Sequence, residues 1–170
     1  MKTAWINPFI MIAMMMFSPN IMAKTVKLTG VATCQFDMTN DTDYCSRSNK
    51  AQYRRALANQ KPNFNRHYIL LEVEPRAYAA IDTRNGVVYP LFHTIEDHEN
   101  GKKAKIQFSV NEPQMCVWGV AMAYQSVIAT DDYGEEANKG KNPVCFGIFR
   151  DEYSPKYGYE FRHDWTTPKK

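Results

Sequence analysis

Two Asn-Gly dipeptides, Asn85-Gly86 and Asn100-Gly101, each stand between stretches of alternating apolar and polar residues. A two-residue hairpin turn needs positive φ at both central positions, which Asn and Gly adopt at least cost. Asn-Gly between extended segments is therefore the strongest short-range hairpin signal a sequence offers. It predicts an antiparallel meander through residues 78–84, 87–99 and 102–110. A two-residue turn at Asn100-Gly101 also fixes a register, with Glu99 opposite Lys102, Glu96 opposite Lys105, Ile95 opposite Ile106 and His93 opposite Phe108. Charges then face opposite charges and apolar residues face apolar ones. Leu91, His93, Ile95, Ile106, Phe108 and Val110 share the covered face.

The other segments extend this pattern. Residues 67–74 read as a strand stopped by Pro75, and residues 24–36 and 144–150 read as strands as well. Residues 157–165 alternate strictly, with Tyr157, Tyr159, Phe161, His163 and Trp165 on one face. Residues 111–130 carry Trp, Tyr and β-branched residues that favour a strand. That strand would place Cys116, Trp118, Val120, Met122 and Tyr124 on one face. A helix starting at Asn111 with Pro113 in its first turn stays open as an alternative. Residues 48–59 are the clear helix candidate, capped by Ser48 or Asn49, with Tyr53, Ala56 and Leu57 on one stripe. Lys50, Arg54 and Arg55 lie off that stripe. The resulting expectation is an α+β fold, predominantly antiparallel sheet of about seven strands curling toward a barrel, with one or two helices.

The N-terminus has Lys2, an apolar run over residues 9–17, a Ser18-Pro19 break and a small residue at Ala23. This is the layout of a secretory signal peptide over residues 1–23, and the run is far short of the ~20 residues that span a bilayer. Residues 24–170 would then be a single soluble, disulfide-stabilised domain of the periplasm, with secretion as the other destination. Six of the nine Met fall in the leader, so the remainder is no Met-rich metal carrier.

With Lys2 removed, 20 basic residues face 18 acidic ones. So small an excess gives no reason to expect nucleic acid as partner. Four cysteines remain, Cys34, Cys45, Cys116 and Cys145. An even count in an exported chain reads as two disulfides. Of the three pairings, Cys34–Cys45 with Cys116–Cys145 is favoured because each closes a local loop. Without a C-x-x-C pair, zinc and dithiol redox chemistry are disfavoured.

Chemistry-bearing residues form no local catalytic motif. His93 and His98 are an odd number apart along a strand and point to opposite faces, so no metal is expected there. His163 and His67 are the weak catalytic candidates, and no cofactor is expected. The functional expectation is a non-enzymatic protein-binding module, such as an inhibitor or immunity-type protein. Its contacts would come from the loops carrying Asp41, Asp43, Asp131, Asp132, Glu135 and Glu136. The alternatives are a small-ligand pocket lined by Trp118, Tyr124, Tyr157, Tyr159 and Trp165, and a small secreted hydrolase. Oligomeric state is left open.

Overall fold

The computed structural model describes residues 26–32, 42–91, 93–98, 100–123, 143–150 and 158–163. Its fold is α+β, with mostly antiparallel strands in two four-stranded sheets and one helix among the described residues. The first sheet has the order β1 (Gly30–Val31), β4 (Val87–Pro90), β3 (Ala77–Asp82), β2 (Tyr68–Glu74). The short β1 runs parallel to β4 and the other pairs are antiparallel. The second sheet has the order β10 (Tyr159–His163), β9 (Val144–Arg150), β7 (Gln114–Trp118), β6 (Lys105–Gln107). A two-stranded extension pairs β5 (His93–Glu96) with β8 (Val120–Ala123).

Helix α1 (Arg47–Asn59) covers one face of the first sheet. Ser46 rather than Ser48 or Asn49 caps it, accepting from the Asn49 backbone N–H. Asn49 instead turns inward as a buried tie, donating to Asp43 O and Glu74 Oε1 and accepting from Gln52. Tyr53 and Ala56 pack with Ile69, Val73, Ala79, Ile81 and Val88. Tyr53 also donates to Tyr44 O, and Tyr44 donates to Leu91 O, so the phenols are buried without losing partners. The outer edge of β2 is covered by side chains that imitate a further strand. Asn63 exchanges two hydrogen bonds with the Leu70 backbone, and Gln52 donates to Val73 O. Blocking an edge in this way prevents sheet-to-sheet pairing with another chain.

The opposite face of the first sheet packs on the second. Tyr68, Leu70, Ala80, Val87 and Tyr89 meet Met115, Val117, Val144, Phe146 and Phe161, with Phe64 between them. The sheets touch at two seams. One is the Leu91–Phe161 bridge. The other is a pair of bonds from Asn65 and Arg66 N–H to Ser109 and Val110 carbonyls. The expected single sheet curling toward a barrel is instead divided into two packed sheets, and among the described residues no barrel is closed.

The expected register of the second hairpin is wrong. β5 and β6 do not pair with each other. His93 to Glu96 lie opposite Ala123 to Val120, and Lys105 to Gln107 lie opposite Trp118 to Cys116. Along 93–107 the partner positions descend steadily, so β5 and β6 form one interrupted strand against the single partner β7–β8. Residues 97–98 and 100–104 bulge out of that strand in a closed loop opposite Gly119. Asp97 closes the loop, accepting from Ala104 N–H and Lys103 Nζ. Gly101 still makes a tight turn there, at φ 80°. A Cβ on Gly119 would stand 2.7 Å from both Glu96 O and the Ala104 side chain, so only glycine lets the loop's two ends close over it. The strand reading of residues 111–130 holds for β7 and β8, and residues 124–130 lie outside the described set.

The first hairpin is present, but its connection differs as well. Residues 83–86 make a four-residue loop in which Gly86 N–H reaches Asp82 O, rather than a two-residue turn. The described residues hold one disulfide, Cys116–Cys145, between register partners of β7 and β9. Cys34 lies outside the described residues.

Candidate functional site

The β3–β4 loop places Arg84 at the rim of the core between the sheets. Asp82, the last residue of β3, is buried, whereas the Arg84 side chain is 59% exposed. Arg84 Nε donates to Asp82 Oδ1 at 2.9 Å and Nη2 donates to Oδ2 at 2.6 Å. The Arg84 backbone N–H donates to the same Oδ1, also at 2.9 Å. One carboxylate therefore fixes both the backbone and the guanidinium plane of a residue two positions on. Such a fork-to-carboxylate pair is shorter and more directional than a lysine contact.

Aromatic residues surround this pair. Tyr68 is the register partner of Asp82, and the Arg84 guanidinium carbon stands 6.0 Å from its ring centroid. Tyr89 packs edge-on to Tyr68 at 6.3 Å. Tyr159, 47% exposed at the start of β10, acts electrostatically on Tyr68, Tyr89 and Arg84. Burial, and then the Asp82 charge, raise the Tyr68 and Tyr89 phenol pKa values, so both remain protonated hydrogen-bonding groups. The hydrogen bonds to Asp82 raise the Arg84 pKa further. His67 stacks on Tyr68 at 4.9 Å. Burial first, and then the Arg84 charge, hold its pKa below the ordinary value, so it is neutral at pH 7. The turn leading into it is strained, with Asn65 and Arg66 at φ 39° and 67°. Non-glycine residues in that region cost free energy that a tertiary context must supply.

Two of the sequence candidates, His67 and Tyr159, thus meet at one rim although they are distant in the chain. Arg84, Asp82, Tyr68 and Tyr89 were not foreseen. The available signal was Asp82-Thr83-Arg84 directly before a turn dipeptide, a spacing that lets a carboxylate reach the following guanidinium.

Other candidates fall elsewhere. Trp118 is on the outer face of the second sheet, where Lys105 Nζ sits 5.0 Å from its ring centroid. It lines no space between the sheets. Asp43 is exposed and accepts from Cys45 N–H in a local turn. His93 packs on Phe146 at 4.9 Å. His163 ends β10, and its side chain is outside the description. Asp41, Tyr124, Asp131, Asp132, Glu135, Glu136, Tyr157 and Trp165 lie outside the described residues. Among the described residues no group of three or more His, Cys, Asp or Glu is placed to hold a metal ion. No described helix is long and apolar enough to cross a membrane.

Comparison with protein-family models, with curated proteins and with solved structures returns no match.

Proposed function

We propose that the chain is an exported, soluble, periplasmic binding domain that acts on another protein, as an inhibitor or immunity-type protein does. In this reading residues 1–23 are cleaved on export, and Cys34–Cys45 adds a second disulfide. The partner contact is the rim around Arg84.

One observation carries the reading. Arg84 is exposed to a partner yet already held in place by buried Asp82, among three tyrosines. Arg and Tyr are the residue types that dominate the energetics of protein interfaces. A side chain fixed before binding loses little rotamer entropy on association. The continuous buried apolar cluster between the sheets favours this over a ligand enclosed among the described residues.

The test is capture from matched envelope and medium extracts by the oxidised protein, expressed from its full coding sequence and read by mass spectrometry. The reading expects one stoichiometric protein partner, lost with Tyr159→Ala and weakened with Arg84→Gln. A folded, oxidised protein that captures nothing, or captures the same partner regardless of both substitutions, contradicts it.

A further inference from the structure

Resting on that reading, we infer that the rim holds a subsite for a single carboxylate, presented by the partner and received by the outer edge of the Arg84 guanidinium. The inner edge, Nε and Nη2, is taken by the two oxygens of Asp82. That chelation leaves the Nη1/Nη2 edge directed away from β3, on a side chain 59% exposed. One N–H from each of those nitrogens gives two parallel donors, the pattern a carboxylate accepts with two oxygens.

Local charge favours a monoanion over a phosphate dianion. Arg84 is offset by Asp82, the half-buried imidazole of His67 is neutral at pH 7, and Arg66 adds a positive charge nearby. The walls suit an organic acid. The Tyr68 ring lies under the guanidinium, and the exposed Tyr159 phenol offers a further donor beside it. Asp82 is a positioning residue here, because it reaches the ligand only through Arg84.

The test uses the oxidised full chain, isotopically labelled and followed by NMR at Arg84 Nε–Hε and the Gly86 amide, titrated with sodium acetate against sodium chloride at equal ionic strength. N-acetylphenylalanine and N-acetylglutamate amide form two further arms, which separate a chain-terminal carboxylate from a side-chain one. The expected result is a saturable, millimolar shift with acetate and a tighter one with one of the two larger acids. Arg84→Gln should abolish it, with thermal unfolding as the check on folding.

Asp82→Asn decides between a held fork and mere positive charge. It raises the net charge at the rim while loosening the fork, and the inference expects at least about tenfold weaker acetate binding. Tighter binding in Asp82→Asn, a non-saturable shift, or an unchanged shift in Arg84→Gln would each overturn the inference. Arg84-dependent capture of a partner without acetate binding would sink the carboxylate subsite alone. Acetate binding without any captured partner would sink the binding-domain reading alone.

Discussion

The two four-stranded sheets share a size and a common core but are held together differently. The first sheet is buried on both faces, by α1 and Tyr44 on one side and by the second sheet on the other. Among the described residues the second sheet is covered on one face only. Its outer face carries the Cys116–Cys145 disulfide, Trp118 under Lys105, and Phe149 under Arg162. Phe149 lies flat there because Gly147 has no side chain; a Cβ would stand 2.9 Å from its ring. The first sheet is stabilised by apolar burial on two sides and the second by burial on one side plus a covalent tie. The rim site sits at the seam between them, drawing Arg84, Asp82, Tyr68 and Tyr89 from the first sheet and Tyr159 from the second.

Perturbing each sheet by its own mechanism should break this contrast in order of size. Tyr53→Ala removes the largest side chain between α1 and the first sheet. It should cost about 3–5 kcal/mol in urea unfolding, as large-to-small core changes do. Cys116→Ala with Cys145→Ala removes the tie of the second sheet and should cost about 2–4 kcal/mol. A loss below about 1 kcal/mol would show that the outer face needs no brace.

Gly119→Ala should cost about 1–3 kcal/mol, because the loop closed by Asp97 must open to admit the Cβ. Crosslinking Ile95 to Ile106 through paired cysteines should fail to form a disulfide, whereas the rejected hairpin register would form it readily.

Alkaline pH should single out the first sheet. Burial raises the phenol pKa values of Tyr53, Tyr68, Tyr78 and Tyr89, that of Tyr78 to about 12, and all four lie in or against that sheet. The folded state retains these protons after the unfolded chain releases them near the ordinary value of 10.0. The stabilisation is therefore complete below that value and is lost as pH rises through the folded pKa values. The urea midpoint should fall above pH 10, with tyrosinate absorbance rising together with unfolding. Ionisation of Tyr53, Tyr68, Tyr78 or Tyr89 in the fully folded protein at that pH, followed residue by residue by NMR, would contradict the burial argument.

The smallest effect concerns Arg76, the third residue of the turn between β2 and β3, at φ 70°. Arg76→Gly relieves that backbone conformation and should raise stability by up to about 1 kcal/mol, less the exposed contact with Asp97 at 3.7 Å.

Face assignments were legible in the sequence where pairing was not. Ile95, Ile106 and Phe108 all reach the core predicted for them, although Ile95 and Ile106 are not partners. Val110, expected on the same face, is instead 38% exposed, because the strand has already ended and Val110 lies in a turn. Alternation depends only on each strand having one covered side, so it survives a change of neighbour. Register depends on which strand arrives at the edge, and here 114–123 displaced the local hairpin partner. A tight turn does fall at Asn100-Gly101, but not the two-residue one expected, because His98 N–H bonds Lys102 O and Gly101 N–H bonds His98 O, and Asp97 closes the loop upon itself before a ladder forms. The rim site was half legible. Its aromatic strand and His67 stood out as side-chain types, whereas the convergence of Tyr68, Tyr89 and Tyr159 on Arg84 is a product of tertiary packing alone.

The most direct test is amide hydrogen exchange on the full chain bound to the partner it captures. The account expects protection on binding at residues 82–87 and 158–160, with the outer face of the second sheet unchanged. Protection confined to residues 105–107 and 116–118, on that outer face, with the Arg84 loop unaffected, would contradict it.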